Sequence, residues 1–391
     1  MRVTPEAPSA GYIAPTLGDI TLVNGTTTST ISYDIVDINK IKDGHVYYIS
    51  FEDTLKIGNP ALSEDDTLTT KSYTLKDSTD NVVVIDKFNS VSANVEQPLV
   101  DGFRLKFDNE TRVEKNPETT KWNNENIPAF VFESFVWPNP SLRGQAIPND
   151  YIVSFGDVGF GSSSEIKIGT LTFPSKPVNF KVFNRSTNDF IQYGFIEADT
   201  TYGGPGKLTT NGAAKDRIIF LEKDANDSLI FTWWFYLGNE PDTTLGQFYP
   251  VSGDTASIFL RKPFLSADIF RFVAHEGQID NQLAKEDLEN IKVVPNPYIA
   301  TALWEPKNPY NSGRGPRSLH FTHLPNKCTI RIFTVNGELV DVIEHESQFN
   351  NGTADWDMLT KDNLSISYGV YLYHIEAPGI GEKIGKFAVI K

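Results

Sequence analysis

The chain has 391 residues, with 35 Lys and Arg against 50 Asp and Glu, so its formal net charge is −15. This acidity argues against a nucleic-acid-binding protein, which needs a dense basic face, and the single cysteine, Cys328, excludes an intrachain disulfide and a Cys-based zinc site. The apolar fraction of 39% is too high for a disordered acidic tail, and no run approaches the roughly 20 apolar residues of a membrane helix.

The first 17 residues contain several prolines but neither an apolar run nor the small-residue cleavage site of a secretory signal. We interpret residues 1–17 as a Pro-rich linker or N-terminal segment. Two interpretations of this start stay open at this point. The protein is cytoplasmic, or it is a piece of a longer chain in which Met1 marks a cut point.

From residue 18 to residue 280 the chain consists of short runs separated by Gly, Pro, Asn and Asp. In residues 45–51, as in other runs, every second residue is apolar or aromatic, as a half-buried strand requires. This pattern predicts an all-β fold built from tandem β-sandwich, Ig-like domains. We place the two sandwiches at residues 18–124 and 125–280, on either side of a polar, strand-poor stretch.

A weak internal repeat connects these two predicted sandwiches. Residues 47–53 resemble residues 151–157, and residues 73–81 resemble residues 180–188 at nearly the same offset. The repeat indicates two related β units, but chance similarity between strands that end in polar turns produces the same pattern.

The densest aromatic run lies at residues 231–236. Strand alternation places Phe231, Trp233 and Phe235 on one face, and Trp234 with Tyr236 on the other. One interpretation buries both faces against neighbouring layers. The other exposes Trp234 and Tyr236 as a platform on which sugar rings stack.

Few residues suggest a metal site. The acidic run 64–66 and the pair Asp34 and Asp37 raise the question of structural calcium, although no twelve-residue calcium loop is present. Solvated loop charge is the favoured interpretation. His320 and His323 are three apart on a predicted strand and therefore lie on opposite faces, so we predict no metal site.

No catalytic motif emerges. His275-Glu276 and His345-Glu346 begin like a zinc-protease motif, but the second histidine is missing from both and neither segment predicts a helix. We therefore expect no catalytic residue and no enzyme. A hydrolase within residues 1–280 has no motif in its favour.

Residues 281–290 form the one candidate helix and a hinge before the last hundred residues. Leu283, Leu288 and Ile291 are predicted to share its apolar face, and Pro295 follows as a stop signal. Residues 291–391 then predict a compact sandwich, with Trp356 in its core. Its strongest local cue is Asn336-Gly337, which predicts a two-residue type I′ hairpin with positive φ at both positions.

This ending resembles the type A C-terminal sorting domain of cargo proteins of the bacterial type IX secretion system. Six motifs of that family occur in the right order within residues 291–391. Besides a Leu-Pro strand end, they are carried by Pro295, Asn296, Pro297, Asn336, Gly337, Trp356, Gly369, Tyr371, Lys386 and Lys391. The resemblance implies an Ig-like sorting domain over about a quarter of the chain.

The resemblance implies a targeting signal for secretion rather than a catalytic activity. The implied partners are an outer-membrane secretion translocon and a sortase, and the implied location is the medium or the cell surface of a Gram-negative bacterium. The export signal that such a route requires is missing here, so the resemblance favours the C-terminal part of a larger exported protein.

Two functional hypotheses from different classes follow. The leading one is a non-enzymatic structural or interaction protein that self-assembles or adheres at the cell surface through exposed strand edges. The alternative is a carbohydrate-binding accessory region of a larger secreted enzyme, with surface polysaccharide as the partner.

Overall fold

The computed structural model describes residues 7–59, 66–124, 127, 129–137, 142–198, 200, 204–211, 214–224, 226–238, 249–299, 317–348 and 350–390. Within these ranges the chain is almost entirely β-structure, with one short α-helix and two 3₁₀ turns. This confirms the all-β prediction. Among the same residues, no helix has the length and apolar character needed to cross a membrane.

The strands follow one another in short segments. The first group is β1 (Tyr12–Ile13), β2 (Thr21–Asn24), β3 (Thr30–Ile35), β4 (Val46–Lys56), β5 (Asp66–Asp77), β6 (Val82–Phe88), β7 (Phe103–Asp108), β8 (Glu114–Lys115), β9 (Lys121–Trp122), β10 (Phe130–Ser134), β11 (Gln145–Ala146) and β12 (Tyr151–Phe155). The second group is β13 (Gly161–Ser162), β14 (Ile166–Ile168), β15 (Leu171–Phe173), β16 (Pro177–Val178), β17 (Phe180–Asn184), β18 (Asp189–Phe190), β19 (Gln192–Ile196), β20 (Thr210–Asn211), β21 (Ala214–Lys215), β22 (Arg217–Lys223), β23 (Leu229–Leu237), β24 (Thr255–Ile258), β25 (Leu260–Arg261) and β26 (Ile269–Val273).

The remaining elements belong to the last third of the chain. They are β27 (Gln278–Ile279), helix α1 (Asn281–Asp287), β28 (Lys292–Val294), β29 (Tyr298–Ile299), β30 (Leu319–Thr322), β31 (Lys327–Thr334), β32 (Leu339–Glu346), β33 (Ala354–Trp356), β34 (Gly369–Ala377) and β35 (Gly381–Ile390). The two 3₁₀ turns are Ile38–Lys40 and Leu288–Asn290.

These elements form two compact units. The central unit comprises Asp19–Asp34 and His45–Val273. The C-terminal unit comprises Met1–Gly18, Ile35–Gly44 and Ala274–Lys391.

The central unit contains a first sandwich built on a six-stranded sheet. Its strand order is β11-β5-β4-β26-β2, with β6 beside β5, and the two-stranded sheet β3-β7 faces it. Alternate residues of β4 are buried as the sequence pattern requires. Aromatic rings fill the space between the layers: Phe51 stacks on Phe264 with ring centroids 4.4 Å apart, and Tyr47 meets Phe103 edge-on at 5.4 Å.

A second sandwich in the same unit pairs the sheet β18-β17-β12-β24-β9 with the sheet β10-β23-β22-β19. Its core is continuous across the two inner faces. Among its buried members are Tyr151, Phe155, Phe180, Phe220, Trp233 and Phe235. Trp233 and Phe235 are buried and Trp234 is half-buried on the other face of β23, as alternation predicts. The prediction is wrong for Phe231, which packs in the same cluster as Trp234 because the register of β22 and β23 shifts next to it.

The predicted sandwich boundaries at 124/125 and 280 do not coincide with this arrangement. Strand β26 follows the second sandwich in sequence but lies in the first sheet, between β4 and β2. Strands β8 and β9 precede the predicted boundary but pair with β25 and β24. The chain therefore leaves the first sandwich, builds the second and returns, and local periodicity carries no information about such long-range pairing.

The two halves of the weak repeat occupy equivalent places in the two sandwiches. Strand β4 lies between β5 and β26, and strand β12 lies between β17 and β24. Tyr47 pairs with Asp77 in one sheet and Tyr151 with Asn184 in the other. Asp77 and Asn184 each begin a turn of the same kind. In both turns the side-chain Oδ1 accepts hydrogen bonds from the backbone amides two and three residues further on.

The C-terminal unit is a third sandwich. Its sheets are β28-β30-β33 and β29-β35-β34-β31-β32, and one core lies between them. The N-terminal segment is part of this unit over its described residues and is not a free linker there. The Ala10 amide donates to the Leu324 carbonyl (3.0 Å), the Gly352 amide donates to the Ala7 carbonyl (2.7 Å), and β1 pairs with β27.

Helix α1 occupies the predicted hinge. It begins after Asp280, whose carboxylate accepts from the amides of Gln282 and Leu283. Leu288 and Ile291 are buried as predicted, but Leu283 is 40% exposed and Ala284 is buried instead. The helix has only two turns, so the register of its buried face is set by packing more than by periodicity.

Candidate functional site

The first and last sorting-like motifs meet in the C-terminal unit. Strand β29 pairs in parallel with the end of β35, joining Tyr298 to Val389. Just before it, the Asn296 side chain extends the ladder: its amide nitrogen donates to the Lys386 carbonyl (3.3 Å), and its oxygen accepts from the Ala388 amide (3.2 Å). A side-chain amide has the same donor and acceptor as a peptide group, so Asn296 replaces one strand residue at this edge.

The aromatic motif residues form the core beneath that edge. Trp356 is 2% exposed, and its indole N–H donates to Asp341 Oδ2 (2.8 Å) and to the Leu359 carbonyl (3.1 Å). The Tyr371 ring stacks on Phe387 with centroids 5.6 Å apart, and Trp356 meets Phe387 edge-on at 5.9 Å. These residues therefore hold the last two strands to the rest of the sandwich.

The hairpin between β31 and β32 forms where the sequence predicts it, but its turn is not type I′. Gly337 has a φ of +87°, whereas Asn336 is not among the residues with positive φ. The Gly337 amide donates to the Thr334 carbonyl, and the Thr334 amide donates to the Glu338 carbonyl. This is a three-residue loop with glycine at the left-handed position, and the strand register shifts next to it.

The remaining motif residues lie at the surface or outside the described residues. Gly369 and Lys386 are exposed, and Lys391 lies outside the described part of the chain. Ile384 and Val370 share the outer face of β35 and β34 with Lys386 and are also exposed. The motif thus divides into an internal part that folds the sandwich and an external part that other molecules can reach.

Three polar side chains in the same unit, which no sequence motif marks, are connected by hydrogen bonds. His320 Nδ1 lies 2.5 Å from Asp355 Oδ1, and His320 Nε2 lies 3.3 Å from Ser318 Oγ. The order Ser-His-Asp is that of a hydrolytic triad. However, His320 is 0% exposed and Ser318 7%, so the imidazole and the hydroxyl are buried, and the contact with the exposed Asp355 joins β30 to β33.

The two residues of the predicted glycan platform lie together on the outer face of β23. The Trp234 indole N–H and the Tyr236 hydroxyl both donate to Glu133 Oε1 at 3.0 Å. Their rings are inclined at 85°, with centroids 6.1 Å apart, and the Arg217 guanidinium lies within 5.3 Å of both centroids. Burial, with the contact to Glu133, raises the pKa of Tyr236 to about 12.

This geometry differs from the flat surface that stacking of a sugar ring requires. Trp234 packs against a small second core that includes Phe135, Ile219 and Leu221, and the cation Arg217 stacks on its ring. The cluster therefore has the features of a packing element on the face of the sheet.

We expect Trp234→Ala to destabilise the central unit by roughly 2 kcal/mol, because it removes a half-buried ring from that core. Tyr236→Phe removes only a hydroxyl that donates to a surface carboxylate, so we expect a loss below about 1 kcal/mol. Urea denaturation followed by fluorescence measures both. Equal losses in the two variants would contradict the packing role of Trp234.

The acidic groups considered for calcium have other roles where they are described. Asp34 pairs with Lys106 at 2.7 Å, and Asp37 accepts from the Asn39 amide at the start of a 3₁₀ turn. Asp66 accepts from the Gly58 amide. The rest of the run 64–66 lies outside the described residues.

Another titratable cluster lies at one end of the first sandwich. His45 Nδ1 is 2.8 Å from Asp77 Oδ2 and 3.9 Å from Asp80 Oδ2. Within the described ranges, these three side chains form the group whose potential ligand atoms are close enough together to hold one metal ion. Burial opposes ionisation of Asp77, but hydrogen bonds from His45 and from the amides of Asp80 and Thr79 outweigh it and lower its pKa. The contacts that close the turn already use this carboxylate.

At the equivalent end of the second sandwich, Glu222 lies in the core. The Tyr151 hydroxyl donates to Glu222 Oε1 (2.5 Å), the amides of Asn149 and Asn184 donate to Oε2 (2.9 and 2.8 Å), and the Thr232 hydroxyl also donates to Oε1 (3.3 Å). All four donors are neutral. Burial raises the pKa of Glu222, and the hydrogen bonds from these donors reduce that rise.

No protein-family pattern matches this chain, and no curated protein matches it significantly. Among solved structures, PorZ, a bacterial surface component of the type-IX secretion system of Porphyromonas gingivalis, is 12% identical, with a TM-score of 0.22 over 100% of this chain and 61% of PorZ. Dimeric latent PorU from the same organism is 12% identical, with a TM-score of 0.17 over 97% of this chain and 34% of PorU. The BSP domain of a biofilm-associated protein is 7% identical, with a TM-score of 0.16 over 97% of this chain and 85% of that domain. The chain thus spans less than two thirds of PorZ and PorU, and likenesses at these scores identify neither its fold nor its function.

Proposed function

We propose that this chain is a non-enzymatic extracellular or cell-surface protein that leaves the cell by the type IX route, with residues 291–391 as its sorting domain. The observation that carries the proposal is the contact between the Asn296 side chain and the backbone of β35. It joins the opening motif to the closing strand, which are far apart in sequence. Motif residues that meet in one fold are better support than the same residues counted along the chain.

The division of the motif into buried and exposed residues fits this role. Trp356 and Tyr371 are buried, and they fix the shape of the sandwich. Lys386 lies on the outer face of β35 next to exposed apolar side chains. A rigid sheet with an exposed, partly apolar face and a strand at its edge suits recognition by a translocon that reads shape and not one bound group.

The non-enzymatic part of the proposal draws on the burial of the triad-like residues. His320 and Ser318 are buried, so the hydroxyl is not presented at the described surface. A nucleophile must lie within reach of the atom it attacks.

Export of the full chain tests the proposal. The chain, preceded by a signal peptide, is produced in a bacterium that has the type IX translocon and in the same strain without it. We expect surface or medium delivery in the first strain and periplasmic retention in the second, measured by immunoblotting of cell fractions. Equal delivery in both strains would contradict the proposal.

A matched pair of variants tests the exposed part of the motif. Lys386→Glu changes the motif lysine on β35, and Lys327→Glu changes an exposed lysine of β31 in the same sheet. We expect several-fold lower delivery for the first variant and normal delivery for the second, at unchanged melting temperature. Loss of delivery in both variants would assign the effect to charge alone.

A further inference from the structure

A cleft in the C-terminal unit is unrelated to the sorting motifs. It has a cavity volume of about 270 Å³ and is formed by four segments: β1, the 3₁₀ turn Ile38–Lys40 with Ile41, the approach to β27, and the loop after β32. This is slightly below the roughly 300–1,000 Å³ of sites for drug-sized ligands, so it suits a ligand of one or two small rings.

Hydrogen bonds between backbone groups, and between backbone and side-chain groups, hold the walls of this cleft in place. The Thr16 amide donates to the His275 carbonyl (3.0 Å), and the His275 amide donates to the Thr16 carbonyl (2.7 Å). The Glu276 amide donates to Asp43 Oδ1 (3.2 Å). The Ser9 hydroxyl donates to the carbonyl of Gln348, another lining residue (3.4 Å). The shape of the cleft therefore exists before any ligand binds, which lowers the entropic cost of binding.

Within the described ranges, the polar side chains of the cleft have no partner in the protein. Asn39, Glu276, Gln348 and Asn350 line it, and none of their side chains hydrogen-bonds to another group in the described part of the chain. Three of the four are amides, which offer both a donor and an acceptor. Three amides and one carboxylate, which only accepts, on one concave surface match a ligand that has several hydroxyl groups.

Apolar surface completes the cleft. Ile38 and Ile41 line it beside the ring of Tyr12, and Tyr12 is held against Gly277, where an added Cβ would come within 3.1 Å of the ring. One aromatic ring and two aliphatic side chains suit the C–H face of a pyranose. The single carboxylate, Glu276, together with the net charge of −15, disfavours an anionic ligand.

We propose that this cleft binds one neutral sugar residue, through hydrogen bonds to Asn39, Gln348 and Glu276 and apolar contact with Tyr12. This site is independent of the export function proposed above. It assigns carbohydrate recognition to the C-terminal unit and not to Trp234 and Tyr236 in the central unit.

The test uses the purified full chain and four probes: glucose, galactose, mannose and N-acetylglucosamine, each at 10 mM or below. Saturation-transfer difference NMR and titration measure binding. We expect at least one sugar to bind to the wild type. Gln348→Ala and Asn39→Ala should each weaken that binding by about tenfold, the effect of losing one or two well-placed hydrogen bonds.

Gln282→Ala is the matched control, since Gln282 is an exposed glutamine of the same unit at the start of α1, outside the cleft. It should bind as the wild type does, and the Gln348, Asn39 and Gln282 variants should keep the wild-type melting temperature because these three residues are exposed. Absence of binding by all four sugars overturns the proposal. Binding that survives both cleft substitutions overturns it as well, and binding lost only in Trp234→Ala would move the site to the central unit.

Discussion

Replacing Glu222 by leucine is expected to destabilise the central unit by about 3–5 kcal/mol, because the buried Tyr151 hydroxyl and Asn184 amide and the half-buried Asn149 amide lose their acceptor, whereas the Thr232 hydroxyl keeps the Phe220 carbonyl (3.4 Å). Tyr151, Asn149, Asn184 and Thr232 all donate to this carboxylate, and Glu222 itself is 7% exposed. Leucine fills a similar volume but accepts no hydrogen bond. Urea denaturation at pH 7, followed by tryptophan fluorescence, measures the loss.

Glu222→Gln is the matched control. Its amide oxygen can accept from the two asparagine amides while its NH₂ group donates to the Tyr151 and Thr232 hydroxyls, which can rotate to accept. We therefore expect a change below about 1 kcal/mol at pH 7. A loss in the glutamine variant as large as in the leucine variant would show that the carboxylate charge, and not its acceptor capacity, holds the site.

The same pair of proteins has a predicted pH dependence. Burial raises the pKa of Glu222, so the folded state binds a proton more tightly than the unfolded state does. The contribution of this group to stability therefore increases as the pH falls through its folded pKa towards the ordinary value, and it is lost as the pH rises again. Relative to Glu222→Gln, the wild type should gain stability between pH 8 and pH 5. A constant difference over that range would contradict the raised pKa.

Replacing Trp356 by alanine is expected to cost the C-terminal unit about 3–5 kcal/mol, since it removes a fully packed indole from the core. The ring lies against Phe387 of the last strand, and its N–H reaches Asp341. Differential scanning calorimetry should show a lower melting temperature for the transition of this unit. Under the proposed function, export of the variant should fall as well.

Trp356→Phe separates packing from hydrogen bonding. It keeps an aromatic ring in the core but leaves Asp341 and the Leu359 carbonyl without the indole donor, so we expect roughly half the loss of the alanine variant. If phenylalanine and alanine are equally destabilising, the hydrogen bonds and not the ring packing dominate at this position.

Much of the fold follows from local patterns. Alternation in β4 and in the second half of β23 identifies which residues are buried, because successive side chains of a strand point to opposite faces, but it fails at Phe231, next to a register shift in the pairing of β22 with β23. The Asn336-Gly337 pair predicts the hairpin, and the sequence pattern of residues 291–391 predicts that Trp356 lies in the core. The predicted type of turn was wrong, since an Asn-Gly pair fits both a two-residue loop and a three-residue loop with a bulge.

Other features depended on distant contacts. Alternation places Glu222 on the same face as Ile218 and Phe220, and a glutamate at an inward position is a signal that sequence analysis can use. Its four donors come from separate segments, so their convergence has no local signature. The same holds for Ser318, His320 and Asp355, which become neighbours only when β30 pairs with β33.

By itself, the acidic sequence determined an all-β chain, an ending with sorting-like motifs and a short helix before it. These are properties of composition and of spacing within a single strand or turn. Only the tertiary structure decided that β26 returns to the first sheet, that residues 7–16 belong to the C-terminal unit, and that side-chain amides line a cleft there. The physical reason is that strand pairing joins residues hundreds of positions apart, and the free energy that selects one pairing comes from the whole core and not from either strand alone.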